Sequence, residues 1–175
     1  MAWIFLSYRL PTEHSRSRVQ VWREVRRTGA LQLQQSLVAF PDTETLRPAV
    51  ERLQKVIEEV GGEALVVRAD PLEKAQESRL RALWSDAIDA AYGELVSECT
   101  KFLSEIDHEF EIEKFTNAEL EEEESEHEKL RAWHERIRAR DVHRATRAEE
   151  AAKAMGQAEE AISRYATAVF ERTQR

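Results

Sequence analysis

The stretch "WIFLSYRLPTEHSRSRVQVWREVRRTGALQLQQSLVAFPD", Trp3 to Asp42, changes periodicity twice. Its opening, Trp3 to Tyr8, is a short apolar run of aromatic and branched residues ended by Pro11, and reads as a buried strand. Ser15 then stands where a cap belongs for a helix from about Arg16 to Thr28, with Gly29 at the position of a left-handed stop. Val21, Trp22 and Val25 recur at helical spacing as an inward face, while Arg16, Gln20, Arg23 and Arg27 share the opposite side, with Arg26 beside Arg23. From Leu31 the pattern is strand-like again. Gln34, Gln35 and Ser36 mark a turn or bulge before Leu37, Val38 and Phe40, so the stretch reads as one strand or, divided there, as a short hairpin.

Beyond Asp42 a second helix is expected from about Thr45, with Pro48 tolerated in its first turn. Leu46, Val50, Leu53, Ile57 and Val60 form its buried stripe, Gly61-Gly62 stops it, and "EALVVRA" is the last strand. Two helices on one face of a small antiparallel sheet is the α+β, ferredoxin-like solution, assigned to residues 1–71. Residues 72–175 read as a helical extension of long antiparallel helices, a hairpin or three-helix unit. Leu80, Trp84, Ile88, Leu95, Cys99, Phe102, Ile106 and Phe110 step at helical spacing from about Glu73 to Ile112. A turn at Thr116-Asn117 opens a second helix carrying Leu120, Leu130, Trp133 and Ile137. A third runs from about Val142 to Thr173, with Ala152, Met155, Ile162, Tyr165 and Val169 inward. Long amphipathic helices commonly pair protomers, so a homodimer through this extension is expected.

The chain carries formal net charge −8, with 34% charged residues, 42% hydrophobic residues and a mean hydropathy of −0.61. Against that balance, Arg9, Arg16, Arg18, Arg23, Arg26 and Arg27 face only Glu13 and Glu24 in their segment. Overall acidity excludes a general polyanion binder, yet a local arginine face suits phosphate, because the planar guanidinium binds it bidentately and reaches guanine edges. Trp3 and Trp22 are expected in the core. The single cysteine, Cys99, excludes an internal disulfide and a thiolate zinc cluster, and its place on the apolar stripe makes it a core residue. No apolar run approaches the roughly 20 residues that span a bilayer, and the start lacks the basic stretch of a signal peptide, so a cytoplasmic protein away from membranes is expected. No phosphate-cradling glycine loop, nucleophile elbow or Ser-His-Asp order is seen. Hence no enzyme, no catalytic residue and no cofactor are expected.

The stretches "WIFLSYRLP", "SRSRVQVWREVRRTGALQLQQSLVAFP", "WSDAIDAAYGEL" and "LRAWHERIRARD" together resemble the N-terminal domain of ChrB, the regulator associated with bacterial chromate-resistance operons. More distantly, the first half resembles the ferredoxin-like domain of PaaX-type repressors and the small nucleases of CRISPR adaptation. The resemblance implies a transcriptional regulator that binds DNA, with Arg16, Arg23, Arg26 and Arg27 on phosphates and Arg9 and Arg18 in support. Full-length relatives carry a further C-terminal domain, which the resemblance implies senses the oxyanion. This sequence ends at Arg175 without it, so a separate sensor protein is a possible partner. The nucleases place an aspartate where Arg9 stands, and arginine cannot hold magnesium.

Two other readings stand beside this one. In a protein-interaction module without nucleic acid, the arginine face would bind an acidic helix, such as the glutamate run from Glu119 to Glu128. In a metal-binding helical bundle, Glu105 and His108, with Glu124 and His127, would supply paired Glu-x-x-His ligands. Glu105 and His108 flank the apolar stripe and are expected to point outward, whereas Glu124 and His127 lie in line with the seam. No metal site is therefore expected.

Overall fold

The computed structural model describes residues 1–11 and 15–174. Its elements are β1 (Trp3–Arg9), α1 (Ser15–Thr28), β2 (Leu31–Gln34), β3 (Leu37–Pro41), α2 (Arg47–Glu59), β4 (Glu63–Ala69), α3 (Lys74–Glu111), α4 (Asn117–Arg138) and α5 (Ala148–Thr173). Two compact units result, Met1–Ala87 and Ile88–Arg175, with the boundary inside α3.

In the first unit the strands order as β2-β3-β1-β4, every neighbouring pair antiparallel. With a helix after β1 and another after β3, this is the ferredoxin-like α+β arrangement. Strand alternation decides what each face holds. Ile4, Leu6, Val38 and Phe40 share one face and are buried beneath the helices, against Val21 and Val25 of α1 and Val50, Leu53 and Ile57 of α2. Trp3, Ala39 and Pro41 point the other way. Trp3 is fully buried there in an edge-on contact with Trp84 of α3, centroids 6.3 Å apart. Further along that face Ser7 and Leu65 are exposed.

The hairpin turns at Gln35-Ser36, with a register shift between Gln32 and Gln34. The start of α2 falls at Arg47, after a turn in which the Thr43 hydroxyl accepts from the Leu46 N–H at 3.3 Å. At its other end Gly61 takes φ +77°, so that its N–H reaches Glu58 O and the Gly62 N–H reaches Ile57 O, closing the helix in a Schellman motif. Gly62 is fixed for a different reason. A Cβ there would lie 2.9 Å from the Arg9 carbonyl oxygen and 2.8 Å from Leu10. Gly62→Ala is therefore expected to cost on the order of 2 kcal/mol, measured by urea denaturation, whereas a loss within experimental error would mean the chain relaxes there freely.

The second unit is a three-helix bundle. Phe102 meets His127, Cys99 meets Met155 at 3.6 Å and Phe110 meets Tyr165, so α5 runs parallel to α3 and α4 runs antiparallel to both. Buried Leu95, Cys99, Phe102, Ile106, Leu130, Ile137, Ala158, Tyr165 and Val169 consume the apolar stripe within the bundle. Thr116 caps α4, its hydroxyl accepting from Glu119 N–H.

Helix α5 begins at Ala148, six residues later than the periodicity predicts. The intervening loop is held by carboxylates that helix formation would displace. Asp141 accepts from the Ala145 N–H at 2.8 Å, and Arg144 takes φ +58°. Asp89 of α3 accepts from the Arg147 N–H at 2.8 Å and from the Thr146 hydroxyl at 2.9 Å. Arg147, the residue at the N-cap of α5, makes no side-chain cap of its own, so Asp89 caps α5 from another helix. Gly93, one turn along α3, leaves room for the Arg147 guanidinium, which would lie 2.0 Å from a Cβ there.

Candidate nucleic-acid interface

Helix α1 buries a narrow stripe, Val21, Glu24, Val25 and Thr28, and leaves the rest exposed. The expected inward face is corrected at one position. Trp22 is 52% exposed and Val19 44%, because the sheet and α2 cover only the side on which Val21 and Val25 lie. Trp3, by contrast, is core as expected. The acid that joins the stripe is Glu24. Its burial is tolerated because Arg27, one turn on, clamps the carboxylate with two hydrogen bonds of 2.9 and 2.7 Å. That partnership also raises the Arg27 pKa, and a charge-assisted fork of this kind is among the strongest side-chain contacts available.

The predicted arginines fall into three groups. Arg16, Arg18 and Arg23 are exposed and, among the described residues, make no hydrogen bond or ion pair. Arg26 lies over the Trp22 ring, 5.3 Å from its centroid, and Arg27 is committed to Glu24. Arg9 stands apart, at the end of β1 on the sheet face opposite the helices, bonded to Glu63 at 3.0 Å. Arg16, Val19, Gln20, Arg23, Glu24 and Arg27 line a shallow groove of about 670 Å³ along α1. Three unengaged guanidinium groups beside a stacked Arg–Trp pair make a surface for a planar or polyanionic partner. The site residue missed from sequence is Trp22, and its place between arginines was the available signal. Ser15, expected as the cap, is the first residue of α1, and residues 12–14, Glu13 among them, lie outside the described residues.

The family model "Protein ChrB, N-terminal" matches residues 18–175. The chain belongs to the ChrB N-terminal family. The ChrB match covers most of α1, strands β2 to β4 and all of the bundle, and associates the chain with chromate resistance. No curated protein and no solved structure matches the sequence.

Within this ChrB fold the Glu-x-x-His pairs do not assemble. Glu105 is exposed, and His108 is exposed and 3.9 Å from Glu111. Glu124 points to solvent while His127 is buried against Phe102, 3.3 Å from Glu159 but outside hydrogen-bond geometry. Among the described residues no group of three or more His, Cys, Asp or Glu is placed to hold a metal ion. The α4 carboxylate that does enter the seam is Glu123, one residue away from the expected one. Cys99 is buried, and burial pushes its thiol pKa up, away from reactivity. No described helix is long and apolar enough to cross a membrane.

Proposed function

We propose that the chain is the DNA-binding module of a ChrB-type chromate-resistance regulator, acting by binding and not by catalysis, and that the exposed side of α1 is its DNA contact. The observation that carries this reading is the set Arg16, Arg18 and Arg23, exposed and unengaged among the described residues on a chain that is acidic overall. Elsewhere the arginines tend to be neutralised locally, as in Arg81–Glu77, Arg131–Glu128, Arg138–Glu135 and Arg147–Glu150. Arg16 and Arg23, seven residues apart, lie on one side of α1 and Arg18 lies round the helix, one turn before Trp22; their unbalanced positive charge is relieved by an anionic partner that reaches both sides. Arg27 is a poorer phosphate ligand than sequence implies, because engaging phosphate would release buried Glu24 from its clamp.

The test is fluorescence anisotropy of the chain on its own upstream DNA across a salt series, beside an Arg16, Arg18, Arg23→Ala variant. Three lost phosphate contacts are expected to weaken binding roughly 10- to 100-fold and to flatten the slope of log affinity on log salt by about 2.7. Absence of binding at low salt overturns the reading and leaves α1 as a protein-docking face for an acidic partner.

A further inference from the structure

The two edges of the sheet are built differently. Edge strand β2 has four residues, two of them glutamine, and its pairing is interrupted by a register shift. These are ordinary protections against further strand pairing. Edge strand β4 lacks them. It pairs with β1 over all seven residues in continuous register and contains neither proline nor lysine. Its centre exposes three consecutive apolar side chains, Leu65 at 64%, Val66 at 37% and Val67 at 44%. Both of its charged residues are already engaged within the chain, Glu63 by Arg9 and Arg68 by Asp42 at 2.5 Å.

We propose that two copies of this chain associate through β4, paired antiparallel about a two-fold axis at Val66 into one continuous sheet. The strand's own sequence names the occupant. Antiparallel pairing about Val66 sets Val66 against Val66, Leu65 against Val67, Arg68 against Ala64 and Glu63 against Ala69, so apolar meets apolar and each charge meets a small side chain. Moving the axis one residue sets Val67 against Glu63 or Val66 against Arg68. An axis between residues would oppose side chains that point to different faces. The bundle is a weaker candidate for this contact, since its apolar stripe is spent internally.

Pairing at β4 also orders the two α1 helices, a step that rests on the DNA reading whereas the dimer itself does not. Helix α2 packs on β4 and β1, and α1 packs on α2, so α1 lies on the side away from the axis. With strands about 4.8 Å and helices about 10 Å apart, the paired α1 helices lie on one side of the sheet on the order of 30 Å from each other. Successive major-groove faces repeat at about 34 Å. Each copy then meets one half-site.

The test is sedimentation velocity of the full chain across the micromolar range, beside a Leu65→Lys, Val67→Lys variant and a Val66→Cys variant treated with a short bis-maleimide. Dimeric wild type, a monomeric double-lysine variant and covalent dimers of the Val66→Cys variant are expected. Cys99 is buried and gives no background in the native sequence. Wild type that stays monomeric overturns the proposal, and so does a dimer that survives both lysines without cross-linking at Val66→Cys, which would assign the contact to the helices. Should the double-lysine variant fail to fold, the cross-link on the otherwise native chain decides. DNA binding is measured separately, so a β4 dimer without affinity for DNA would retain this inference and remove the other.

Discussion

Asp89→Ala is expected to lower stability by about 2 to 3 kcal/mol, a fall in Tm of roughly 4 to 12 °C for a chain of this size. The carboxylate does three things. It satisfies the Arg147 N–H, an amide at the start of α5 without an intrahelical partner, and it places a negative charge at the positive end of a 26-residue helix. It also fixes the Thr146 hydroxyl, and so the path of the loop that returns from α4. Burial by itself would raise the Asp89 pKa, but the hydrogen bonds from Arg147 and Thr146 outweigh it and hold the group below its ordinary value. A depressed carboxylate stabilises above its unfolded pKa and loses that contribution as pH falls through the folded one. The gap between wild type and variant is thus constant through neutral pH and closes only in acid below about pH 4. Asp89→Asn keeps one acceptor and is expected to cost about half as much. Urea denaturation followed by hydrogen exchange at the first turn of α5 checks both. Unchanged exchange there would show that the loop finds another cap.

Where the sequence was readable, and where it was not, follows from how local each cause is. The apolar run of aromatic and branched residues in Trp3–Tyr8, the glutamines that divide β2 from β3, and Gly61-Gly62 act within a few residues, so they predicted the ferredoxin-like module from the chain alone. The start of α5 depends on Asp89, 58 residues before the amide it caps, and local periodicity continued through the loop as though it were helix. Trp22 departs from its expected place for a related reason. A stripe at 21, 25 and 28 has two flanks, and which flank a sheet covers is decided by tertiary packing. Glu24 took the buried place because Arg27 was one turn away to neutralise it. Glu123 was legible in principle, since 123, 127, 130 and 137 follow helical spacing and are all buried. The density of glutamates around it hid the one that faces inward.

That inward glutamate makes the larger pH-dependent prediction: Glu123→Gln is expected to raise stability at pH 8 by about 3 kcal/mol and to leave it nearly unchanged at pH 4. Glu123 is 7% exposed, and its Oε2 has no hydrogen-bond partner among the described residues. Burial, then the charges of Glu105, Glu119, Glu109 and Glu122, push its pKa up to about 7. The nearby cation, Lys114, is held by Glu119 at 2.5 Å and lies 3.8 Å from Glu109. The phenol of Tyr165, on the facing helix, is pushed up to about 12 by its own burial and then by Glu109, Glu119 and Glu123, so it stays neutral and adds no further negative charge. In the unfolded chain Glu123 releases its proton near pH 4.5, whereas the folded chain keeps it to about 7. Stability from the proton is therefore complete below 4.5, declines between 4.5 and 7, and is gone above. A difference of about 2.5 pH units at 1.36 kcal/mol each sets the roughly 3 kcal/mol ceiling. Glutamine keeps the shape and neutrality of the protonated acid, so the Tm difference between variant and wild type should grow between pH 4.5 and 7, a difference in which every other titrating group cancels. If variant and wild type run parallel from pH 4 to 8, Glu123 ionises in place with its charge compensated, and the seam between α3 and α4 must open to water or a cation when it does.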